Sequence, residues 1–255
     1  MNPETELAGK VALVTGGGGD LGRAIGAALA AAGFRVILAD IDGNAARDAA
    51  ASLSSAGNHV GHVNMGVADE ESVTAAFERV AHDLGRLDVL INNAGIAARK
   101  PSVELPVADW NRVLAVNLTG TFLCSRAAAR LMLKGKGGAI VNIASIMGLV
   151  GNSLYANPAY QASKGGIINL TRAQAVEWAG SGIRVNAVAP TFVETKLTDR
   201  LLQEPGIHDG IIARTPMGRL ARPGEIAAAV IFLASDAAAF ITGIVLPVDG
   251  GWTAA

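Results

Sequence analysis

Tyr160 and Lys164 are the two residues of this sequence whose types and spacing most directly indicate proton chemistry. They are four residues apart, so both side chains lie on one face if the segment is helical. A phenol titrates near pH ~10 in water, and an ammonium group beside it would favour the phenolate and lower its pKa. Tyr155, the other tyrosine, has Ala159 at this spacing. The pattern predicts Tyr160 as an acid–base group; a surface helix that carries both residues by chance is the alternative.

A run of glycines near the start of the chain has the features of an anion-binding loop. An apolar run at residues 11–14 leads into Thr15-Gly16-Gly17-Gly18-Gly19-Asp20-Leu21-Gly22-Arg23, and a helix-forming segment follows. Glycines permit positive φ and let backbone N–H groups approach a pyrophosphate, while the helix N-terminus adds unpaired donors. We therefore predict a dinucleotide site, whose contacts in this loop are Gly16, Gly19, Asp20, Leu21 and Gly22.

Two aspartates refine this prediction. Asp20 is expected to cap the helix by accepting from the N–H of Gly22 or Arg23. Asp40 follows the second apolar run, about twenty residues after the loop, where a carboxylate can accept hydrogen bonds from the adenosine ribose. It would repel a 2′-phosphate, so NAD is predicted over NADP, and the neighbouring Ile41 is included among the cofactor contacts. Turn and helix-capping sequence at residues 40–44 is the alternative interpretation.

Short apolar runs rich in β-branched residues alternate with helix-forming segments along the whole chain. The predicted strands cover residues 11–14, 34–39, 59–63, 87–91, 139–143, 183–188 and 244–248. The predicted helices cover residues 21–32, 44–55, 70–84, 110–133, 159–179 and 224–234. This alternation predicts an α/β fold, a Rossmann-like doubly wound sheet of about seven parallel strands between two helical layers.

Composition and charge limit the kinds of partner. With 51% hydrophobic and 17% charged residues, the chain suits a sheet that is covered on both faces. The net charge of −1 and the lack of basic runs argue against nucleic acid or an anionic membrane as a partner. We expect one catalytic domain over residues 1–255. A substrate lid is expected at about residues 190–223, where prolines, glycines and charges interrupt the pattern.

Further residues bear on location and on metals. Cys124 is the sole cysteine, which excludes an intrachain disulfide and fits a reducing compartment, and its apolar surroundings predict a packed thiol. Residues 1–6 are acidic and lack a secretory pattern, so a cytoplasmic location is expected. His59 and His62 have ligand-like spacing, but on a strand they would point to opposite faces, and no metal site is predicted.

Taken together, these residues resemble the short-chain dehydrogenase/reductase family in its single-domain form. The resemblance runs from Gly9 to Trp252 and rests on Thr15-Gly16 with Gly22, Asp40, Asn92-Asn93-Ala94-Gly95, Asn117, Ser145, Tyr160 with Lys164, Pro190 with Thr195, and Val248-Asp249-Gly250-Gly251. It implies a nicotinamide cofactor, reversible oxidation of a secondary alcohol to a ketone, and commonly a homotetramer. Asp20, Gly66 and Thr191 depart from the residues that the family usually has.

The resemblance also implies roles for individual residues. Tyr160 would exchange a proton with the substrate oxygen, Lys164 would lower the pKa of Tyr160 and bond the nicotinamide ribose, and Ser145 would steady the substrate oxygen. Asn117 would anchor a water chain from Lys164 to solvent. The implied cofactor contacts outside the glycine loop are Val67 beside the adenine, Asn93 and Gly95 on the adenosine side, and Val193 and Thr195 at the nicotinamide carboxamide.

The sequence leaves the substrate open. The acidic Asp40 and the spacing of fifteen residues between Ser145 and Tyr160 resemble polyol and sugar oxidoreductases of the family, which favours a polyol, a sugar or a related small hydroxy compound. A 3-oxoacyl-thioester reductase is the nearest alternative, although such enzymes commonly use NADPH. A non-catalytic nucleotide-sensing protein is the alternative from a different class. Arg99 and Lys100 could receive an acidic substrate, although solvated loop charges are the favoured interpretation.

Overall fold

A central parallel sheet organises the chain in the computed structural model, which describes residues 9–54 and 59–255. The strands are β1 (Val11–Thr15), β2 (Arg35–Asp40), β3 (Val60–Asn64), β4 (Val89–Asn92), β5 (Gly138–Ile143), β6 (Ile183–Pro190) and β7 (Val245–Val248). They lie in the order β3-β2-β1-β4-β5-β6-β7, and every neighbouring pair is parallel. The predicted fold class is confirmed.

Helices cover both faces of this sheet. They are α1 (Asp20–Ala31), α2 (Gly43–Ser54), α3 (Glu70–Leu84), α4 (Val107–Leu114), α5 (Gly120–Met132), α6 (Pro158–Trp178), α7 (Lys196–Leu202), α8 (Ile207–Ala213) and α9 (Pro223–Ala234). Helices α1, α2 and α9 contribute to the core on one face, and α3, α5 and α6 contribute to the core on the other. The predicted helix end at residue 55 and the segment of residues 1–6 lie outside the described residues.

Strand β1 shows why the strand sequences are apolar at every position. Ala12 and Val14 pack toward α1 and α9, whereas Val11 and Leu13 pack toward α3 and α5. All four residues are at most 1% exposed. Successive side chains of a strand point to opposite faces, so a sheet covered on both sides needs an unbroken apolar run. Each buried side chain of the size of Val or Leu stabilises the fold by roughly 1.5–3 kcal/mol.

The single helix predicted over residues 110–133 is wrong in two respects. The helical segment begins earlier, at Val107, and a π-helical turn at Ala115–Thr119 separates α4 from α5. The turn contains Asn117, which is fully buried. Sequence periodicity did not reveal the turn, because a π-helical turn changes an otherwise helical apolar pattern very little.

The segment over residues 190–223 contains two short helices, α7 and α8, and its two ends are joined. The Ala221 N–H donates to the Phe192 carbonyl, and the Glu194 N–H donates to the Ala221 carbonyl, both at 3.0 Å. Arg219 forms a bidentate pair with Glu225, at 2.8 and 2.6 Å. The segment therefore leaves the sheet and returns to the same point, as a lid would, and its movement stays a prediction.

Candidate active site

A cavity of about 900 Å³ opens at the carboxyl ends of the strands, where the strand order reverses between β1 and β4. Doubly wound sheets bind their ligands at this switch point. Its glycine-loop half is lined by Gly16, residues 18–23, Asp40, Ile41, residues 65–69, Asn93, Ala94 and Gly95. Its aromatic half is lined by Arg99, Ser145, Met147, Tyr155, Asn157, Tyr160, Phe192 and Leu201.

The glycine loop fits against the loop after β4 because its residues lack side chains. Gly16 has a φ of +65°, and a Cβ there would lie 2.9 Å from the Ala94 Cα. A Cβ on Gly22 would lie 2.1 Å from the Gly16 carbonyl oxygen. On Gly19 the closest such contact would be 3.5 Å, which is ordinary van der Waals distance. Packing within the protein therefore requires Gly16 and Gly22, whereas Gly19 keeps the surface open toward the cavity.

The N-terminus of α1 fits a pyrophosphate group. The helix begins at Asp20, directly after an extended Gly19 with φ −80° and ψ 165°. The first N–H groups of a helix have no partner within it, and Asp20, Leu21 and Gly22 all line the cavity. These donors and the helix dipole favour an anion at this point. The geometry supports a dinucleotide here, and the individual loop contacts stay predictions.

The capping role predicted for Asp20 is wrong. Gly19 occupies the cap position of α1 without a side-chain hydrogen bond, and Asp20 is the first helical residue. The Asp20 Oδ2 instead accepts from the Lys196 N–H at 2.7 Å, at the start of α7. Because 176 residues separate the partners, no local sequence pattern indicated this bond. Asp20 therefore links the glycine loop to the segment predicted as the lid.

Asp40 ends β2 with its carboxylate against the glycine loop. Its Oδ2 accepts from the Gly18 N–H at 2.9 Å, and its Oδ1 accepts from the Asp42 N–H at 3.0 Å. A carboxylate has about four lone-pair sites, so Asp40 keeps acceptor capacity for a ligand hydroxyl. Arg23 lines the same half of the cavity, and its Nε donates to the Gly18 carbonyl at 2.9 Å. Ile41, which is 77% exposed, adds apolar surface beside the carboxylate.

Asn93 and Thr15 join the loops after β1 and β4. The Asn93 Nδ2 donates to the carbonyls of Thr15 and Gly16, at 2.9 and 3.2 Å. The Thr15 hydroxyl accepts from the N–H groups of Asn93 and Ala94, both at 3.0 Å. The side chain of Asn93 thus shapes the cavity by holding the glycine loop in place.

Val67 reaches the cavity from the loop after β3. It is 9% exposed, and it lies close to α5 because a Cβ on Gly120 would be only 2.9 Å from its side chain. This position is compatible with the predicted contact between Val67 and an adenine ring, which stays a prediction.

Asn117 connects the loop after β4 to α6. Its Oδ1 accepts from the Ile96 N–H at 2.8 Å, and its Nδ2 donates to the Ile96 carbonyl and the Ser163 hydroxyl, both at 3.0 Å. A Cβ on Gly95 would lie 3.5 Å from the Asn117 Oδ1 and 3.7 Å from the Lys164 Nζ. Gly95, Asn117 and Lys164 therefore meet at one place. The water chain predicted to begin at Asn117 stays a prediction.

Ser145 follows β5 and caps the short 3-10 turn Ile146–Gly148. Its Oγ accepts from the Met147 N–H at 3.1 Å. A Cβ on Gly148 would lie 2.6 Å from the carbonyl carbon of Lys164, so the turn rests directly on the backbone of α6. Ser145 also acts to lower the pKa of the Tyr160 phenol. Ser145 and Tyr160, fifteen residues apart in sequence, thus line the same cavity.

Lys164 and Tyr160 meet on one face of α6, as their spacing predicts. Lys164 is 3% exposed; its Nζ donates to the Ile143 carbonyl at 2.6 Å and lies 5.4 Å from the centroid of the Tyr160 ring. Burial lowers the pKa of Lys164 to about 8. Burial raises the pKa of Tyr160 to about 12, and the opposing effect of Ser145 is smaller. A phenol pKa lowered by Lys164 is therefore not what this structure has, because desolvation dominates.

Val193 and Thr195 line the cavity at the start of the predicted lid. The Val193 carbonyl accepts from the Thr198 hydroxyl at 2.6 Å, and Thr195 occupies the cap position of α7. Both residues thus form hydrogen bonds within their own segment. Their contact with the nicotinamide carboxamide stays a prediction.

Tyr155 and Phe192 line the aromatic half, and they belong to a row of aromatic side chains that sequence analysis did not identify. Tyr155 meets Phe192 edge-on with ring centroids 6.3 Å apart, and Phe192 lies 5.5 Å from Trp252. The Arg99 Cζ lies 5.7 Å from the Tyr155 centroid, and the Arg214 Cζ lies 5.0 Å from that of Trp252. These residues come from distant segments, so the sequence carried no local signal for the row.

Three remaining expectations concern metals, membranes and the thiol. Over residues 9–54 and 59–255, no three His, Cys, Asp or Glu side chains are grouped as metal ligands would be. Within the same residues, no helix has the length and apolar character needed to cross a membrane. Cys124 is buried, and burial raises the pKa of its thiol to about 12, which fits a packed and unreactive group.

Comparison with known proteins identifies the class to which this fold and site belong. A family model described as enoyl-(acyl carrier protein) reductase matches residues 19–253. The cis-4-hydroxycyclohexanecarboxylate dehydrogenase of Sinomonas cyclohexanicum is 47% identical, over 97% of this chain and 98% of its own length. The D-threitol dehydrogenase of Mycolicibacterium smegmatis is 46% identical, over 97% of this chain and 94% of its own.

Two further proteins bear on the cofactor and on the alternative activity. The crystal structure of a gluconate 5-dehydrogenase from Burkholderia cenocepacia, in complex with NADP and tartrate, has a TM-score of 0.94 at 35% identity, covering 97% of this chain and 96% of that one. A 3-oxoacyl-[acyl-carrier-protein] reductase from Aquifex aeolicus is 41% identical, over 97% of this chain and 99% of its own. This chain belongs to the short-chain dehydrogenase/reductase family. It is an oxidoreductase that acts on CH–OH groups and uses a nicotinamide nucleotide.

Proposed function

We propose that the protein is an NAD(H)-dependent dehydrogenase that interconverts a secondary alcohol and a ketone, with Tyr160 as the general acid–base. The observation that carries this proposal is that Ser145, Tyr160 and Lys164 line one cavity, with the buried Lys164 Nζ 5.4 Å from the centroid of the Tyr160 ring. A polyol, a sugar or a related small hydroxy compound is the proposed substrate. The relative named for D-threitol supports that class.

Ser145 and Tyr160 present two hydroxyl groups to one substrate oxygen. With its pKa at about 12, the Tyr160 phenol holds its proton at neutral pH and can donate it to the oxygen of a ketone. In the reverse direction Tyr160 first passes its own proton toward solvent, and the resulting phenolate, with the Lys164 Nζ 5.4 Å from the ring centroid, accepts the proton of the alcohol. A bound nicotinamide ring supplies or takes up the hydride.

Lys164 is suited to move the proton onward. Its pKa of about 8 lies close to physiological pH, so the amine changes charge at little free-energy cost. Gly95 lies between its Nζ and the side chain of Asn117, and the Ile143 carbonyl orients the Nζ by accepting a hydrogen bond at 2.6 Å. We propose that Asn117 acts as a positioning residue, because its side chain holds the loop after β4 against α6, the helix that carries Lys164.

Asp40 supports NAD as the cofactor. Its carboxylate lines the glycine-loop half and accepts one hydrogen bond there, from the Gly18 N–H. A ribose 2′-hydroxyl can donate to its remaining lone pairs, whereas the negative charge of the carboxylate would repel a 2′-phosphate. Arg23 is the nearby cation that would favour NADP, the nucleotide present in the related gluconate 5-dehydrogenase. We propose NAD because Arg23 already donates to the Gly18 carbonyl, while Asp40 keeps free lone pairs.

The test is a screen that follows NADH or NADPH formation with polyols, sugars, hydroxy acids and 3-hydroxyacyl thioesters, each offered with NAD and with NADP. We expect oxidation of a small secondary alcohol, with NAD giving the higher kcat/KM. Turnover confined to 3-hydroxyacyl thioesters would replace this function by that of a 3-oxoacyl-thioester reductase. NADH binding without turnover of any compound would instead indicate a nucleotide-sensing protein.

Assembly as a homotetramer and a cytoplasmic location remain predictions. Val176 and Phe240 are large apolar side chains that are 84% and 104% exposed, and such groups are often covered by a second subunit. Light scattering coupled to size-exclusion chromatography measures the mass of the assembly in solution. A mass of four chains is the expected result.

A further inference from the structure

The surface around Tyr160 is largely apolar. Tyr155 and Tyr160 pack against a cluster of buried side chains that includes Met147 and Phe192, and all four residues line the aromatic half of the cavity. Met147 and Phe192 are each 6% exposed, whereas Tyr155 is only partly buried and offers the larger surface. The Tyr155 ring meets Phe192 edge-on, with centroids 6.3 Å apart. A carbon atom of a ligand next to Tyr160 therefore meets aromatic and aliphatic groups.

Apart from Ser145 and Tyr160, the polar side chains of this half offer a ligand few hydrogen-bond partners. The Arg99 guanidinium lies over the Tyr155 ring, with its Cζ 5.7 Å from the centroid, and is engaged within the protein. The Asn157 Oδ1 is buried, so a ligand in the cavity does not reach it. The acidic residues that line the cavity belong to the glycine-loop half: Asp20, Asp40 and Asp69. The aromatic half therefore provides hydroxyl partners for one substrate oxygen.

The start of the predicted lid, which also lines the cavity, has the same character. The Thr198 hydroxyl donates to the carbonyls of Val193 and Thr195, at 2.6 and 2.8 Å, so its hydrogen is used within the segment. The Thr191 Oγ1 is buried. The lid thus adds little that would bind further hydroxyls of a substrate.

Hydroxyl groups and hydrocarbon groups respond in opposite ways to such a surface. A hydroxyl that leaves water without gaining a hydrogen bond lowers the binding affinity, because its lost hydration is not replaced. An apolar group gains affinity when it leaves water. A substrate that carries several hydroxyls into the aromatic half would therefore bind more weakly than one that carries hydrocarbon there.

We propose that the aromatic half binds a hydrocarbon substituent of the substrate, so that the substrate is a small secondary alcohol with C–H groups, and not hydroxyls, on that side of the reacting carbon. This proposal rests on the proposed dehydrogenase function and narrows its substrate class to alkyl diols and ring alcohols. In the oxidation, the reacting carbon gives a hydride, with two electrons, to NAD⁺, and its hydroxyl gives the proton to the Tyr160 phenolate. One C–H and one O–H bond are replaced by the second bond of the ketone, and the hydrocarbon substituent is unchanged.

Matched ligands test the apolar surface without any turnover. Butane-2,3-diol has the carbon chain of threitol without the terminal hydroxyls, and cyclohexanol has the ring of myo-inositol with a single hydroxyl. Isothermal titration of the NADH-loaded protein compares the members of each pair, with butane-2,3-diol and threitol of the same relative configuration. We expect the less hydroxylated member of at least one pair to bind about 10- to 100-fold more tightly, as the loss of unpaired hydroxyls would give.

Three variants separate recognition from folding. Tyr155→Asn replaces the accessible ring by a polar amide and should reduce the preference to less than about threefold, whereas Tyr155→Phe keeps the ring and should keep the preference. Phe122→Asn is the control: its ring also lies beside an arginine, 5.2 Å from the Arg126 Cζ, but outside the cavity, and the preference should stay complete. Thermal melting of each variant verifies that it is folded.

The possible results distinguish the two proposals. The apolar surface is overturned if the more hydroxylated member of each pair binds as tightly as its partner, if none of the four compounds binds, or if Tyr155→Asn keeps the preference. A protein that selects the less hydroxylated compounds through Tyr155 but oxidises no alcohol would retain the surface and refute the dehydrogenase function. Oxidation of threitol with a higher kcat/KM than butane-2,3-diol would do the reverse.

Discussion

The glycine-loop half and the aromatic half of the cavity differ in which part of the chain faces the ligand. In the glycine-loop half, backbone N–H groups line the surface, and side chains such as Asp40 and Asn93 hold the loops in position. In the aromatic half, side chains from distant segments form the surface, with Arg99 on Tyr155 and Tyr155 against Phe192. The ligand-facing surface of the glycine-loop half therefore depends on backbone conformation, and that of the aromatic half depends on how its side chains pack.

This difference has a consequence for function. A Cβ at Gly16 or Gly22 would lie within 3 Å of neighbouring backbone, so the glycine-loop half tolerates few replacements. In the aromatic half the side chains themselves face the ligand, so exchange of a single side chain changes the surface that the ligand meets. A family built in this way can keep one cofactor and vary the substrate. Tyr160 and Lys164 lie where the two halves meet.

The largest effect on stability and on cofactor binding is expected from Gly22→Ala, which adds one methyl group to the glycine loop. Gly22→Ala places a Cβ 2.1 Å from the Gly16 carbonyl oxygen, so the loop must move. We expect the free energy of unfolding to fall by about 3 kcal/mol and NADH affinity to fall more than about tenfold. Thermal melting and NADH fluorescence titration measure the two effects.

Gly19→Ala is the matched control for that prediction. Its Cβ would lie 3.5 Å from the nearest atom, so the melting temperature should stay close to that of the unmodified protein. NADH affinity should still decrease, because the methyl group covers backbone donors that face the cavity. Equal destabilisation by the two substitutions would contradict the distinction between packing glycines and ligand-facing glycines.

The buried amine at the junction of the halves should reduce stability in a pH-dependent way. The pKa of Lys164 is lowered from 10.5 to about 8 in the folded protein, so folding disfavours its ionised form. This deficit is fully present below pH 8 and disappears as the pH rises to 10.5. We expect Lys164→Met, though inactive, to be about 1–2 kcal/mol more stable at pH 7, after about 1 kcal/mol is lost at the unpaired Ile143 carbonyl.

Urea unfolding of both proteins at pH 7 and at pH 10 measures this effect. The advantage of Lys164→Met should shrink or reverse at the higher pH, because Lys164 is then neutral in the folded protein. A variant that is less stable at both pH values by the same amount would show that the ionisation of Lys164 has no cost.

Removal of one charge should change the cofactor preference within the glycine-loop half. Asp40→Asn keeps an acceptor for the Gly18 N–H and removes the repulsion of a 2′-phosphate. We expect the ratio of kcat/KM for NAD to that for NADP to fall about tenfold, which corresponds to about 1.4 kcal/mol. Asp42→Asn, whose carboxylate serves the N-terminus of α2, is the control and should leave the ratio unchanged. An unchanged ratio in Asp40→Asn would assign cofactor choice to another residue.

The smallest effect is expected at the bond that joins the glycine loop to α7. Asp20→Ala removes the acceptor of the Lys196 N–H, while Asp20→Asn keeps one. We expect KM for the alcohol to rise about threefold in Asp20→Ala only, since a single exposed hydrogen bond contributes about 1 kcal/mol. Hydrogen exchange should become faster over α7 in the same variant. Slow exchange in Asp20→Ala would show that this bond does not hold the segment.

The parts of the site that the sequence predicted are those coded within short segments. The turn between β1 and α1 follows from the glycines around Gly16, and the pairing of Tyr160 with Lys164 follows from helical spacing. The strand positions could be predicted because a strand that is covered on both faces is apolar at nearly every position, so it is recognised from the sequence directly. Local patterns therefore identified most of the sheet and the candidate proton-transfer pair.

The parts that the sequence missed depend on contacts between distant segments. The bond from Lys196 to Asp20, the stacking of Arg99 on Tyr155 and the row that ends at Trp252 form only after the sheet has assembled. The direction of the Tyr160 pKa was wrong for a related reason. Spacing indicates that Lys164 is near, but it does not indicate how much water the fold removes from both groups.

The central claim, that Tyr160 transfers the proton while the glycine-loop half binds the cofactor independently, is tested most directly by Tyr160→Phe. This change removes the hydroxyl and keeps the ring beside Lys164, so kcat/KM should fall by at least about a thousandfold. The dissociation constant of NADH, measured by fluorescence on the same preparation, should stay within about twofold. Turnover within tenfold of the unmodified enzyme would contradict the account.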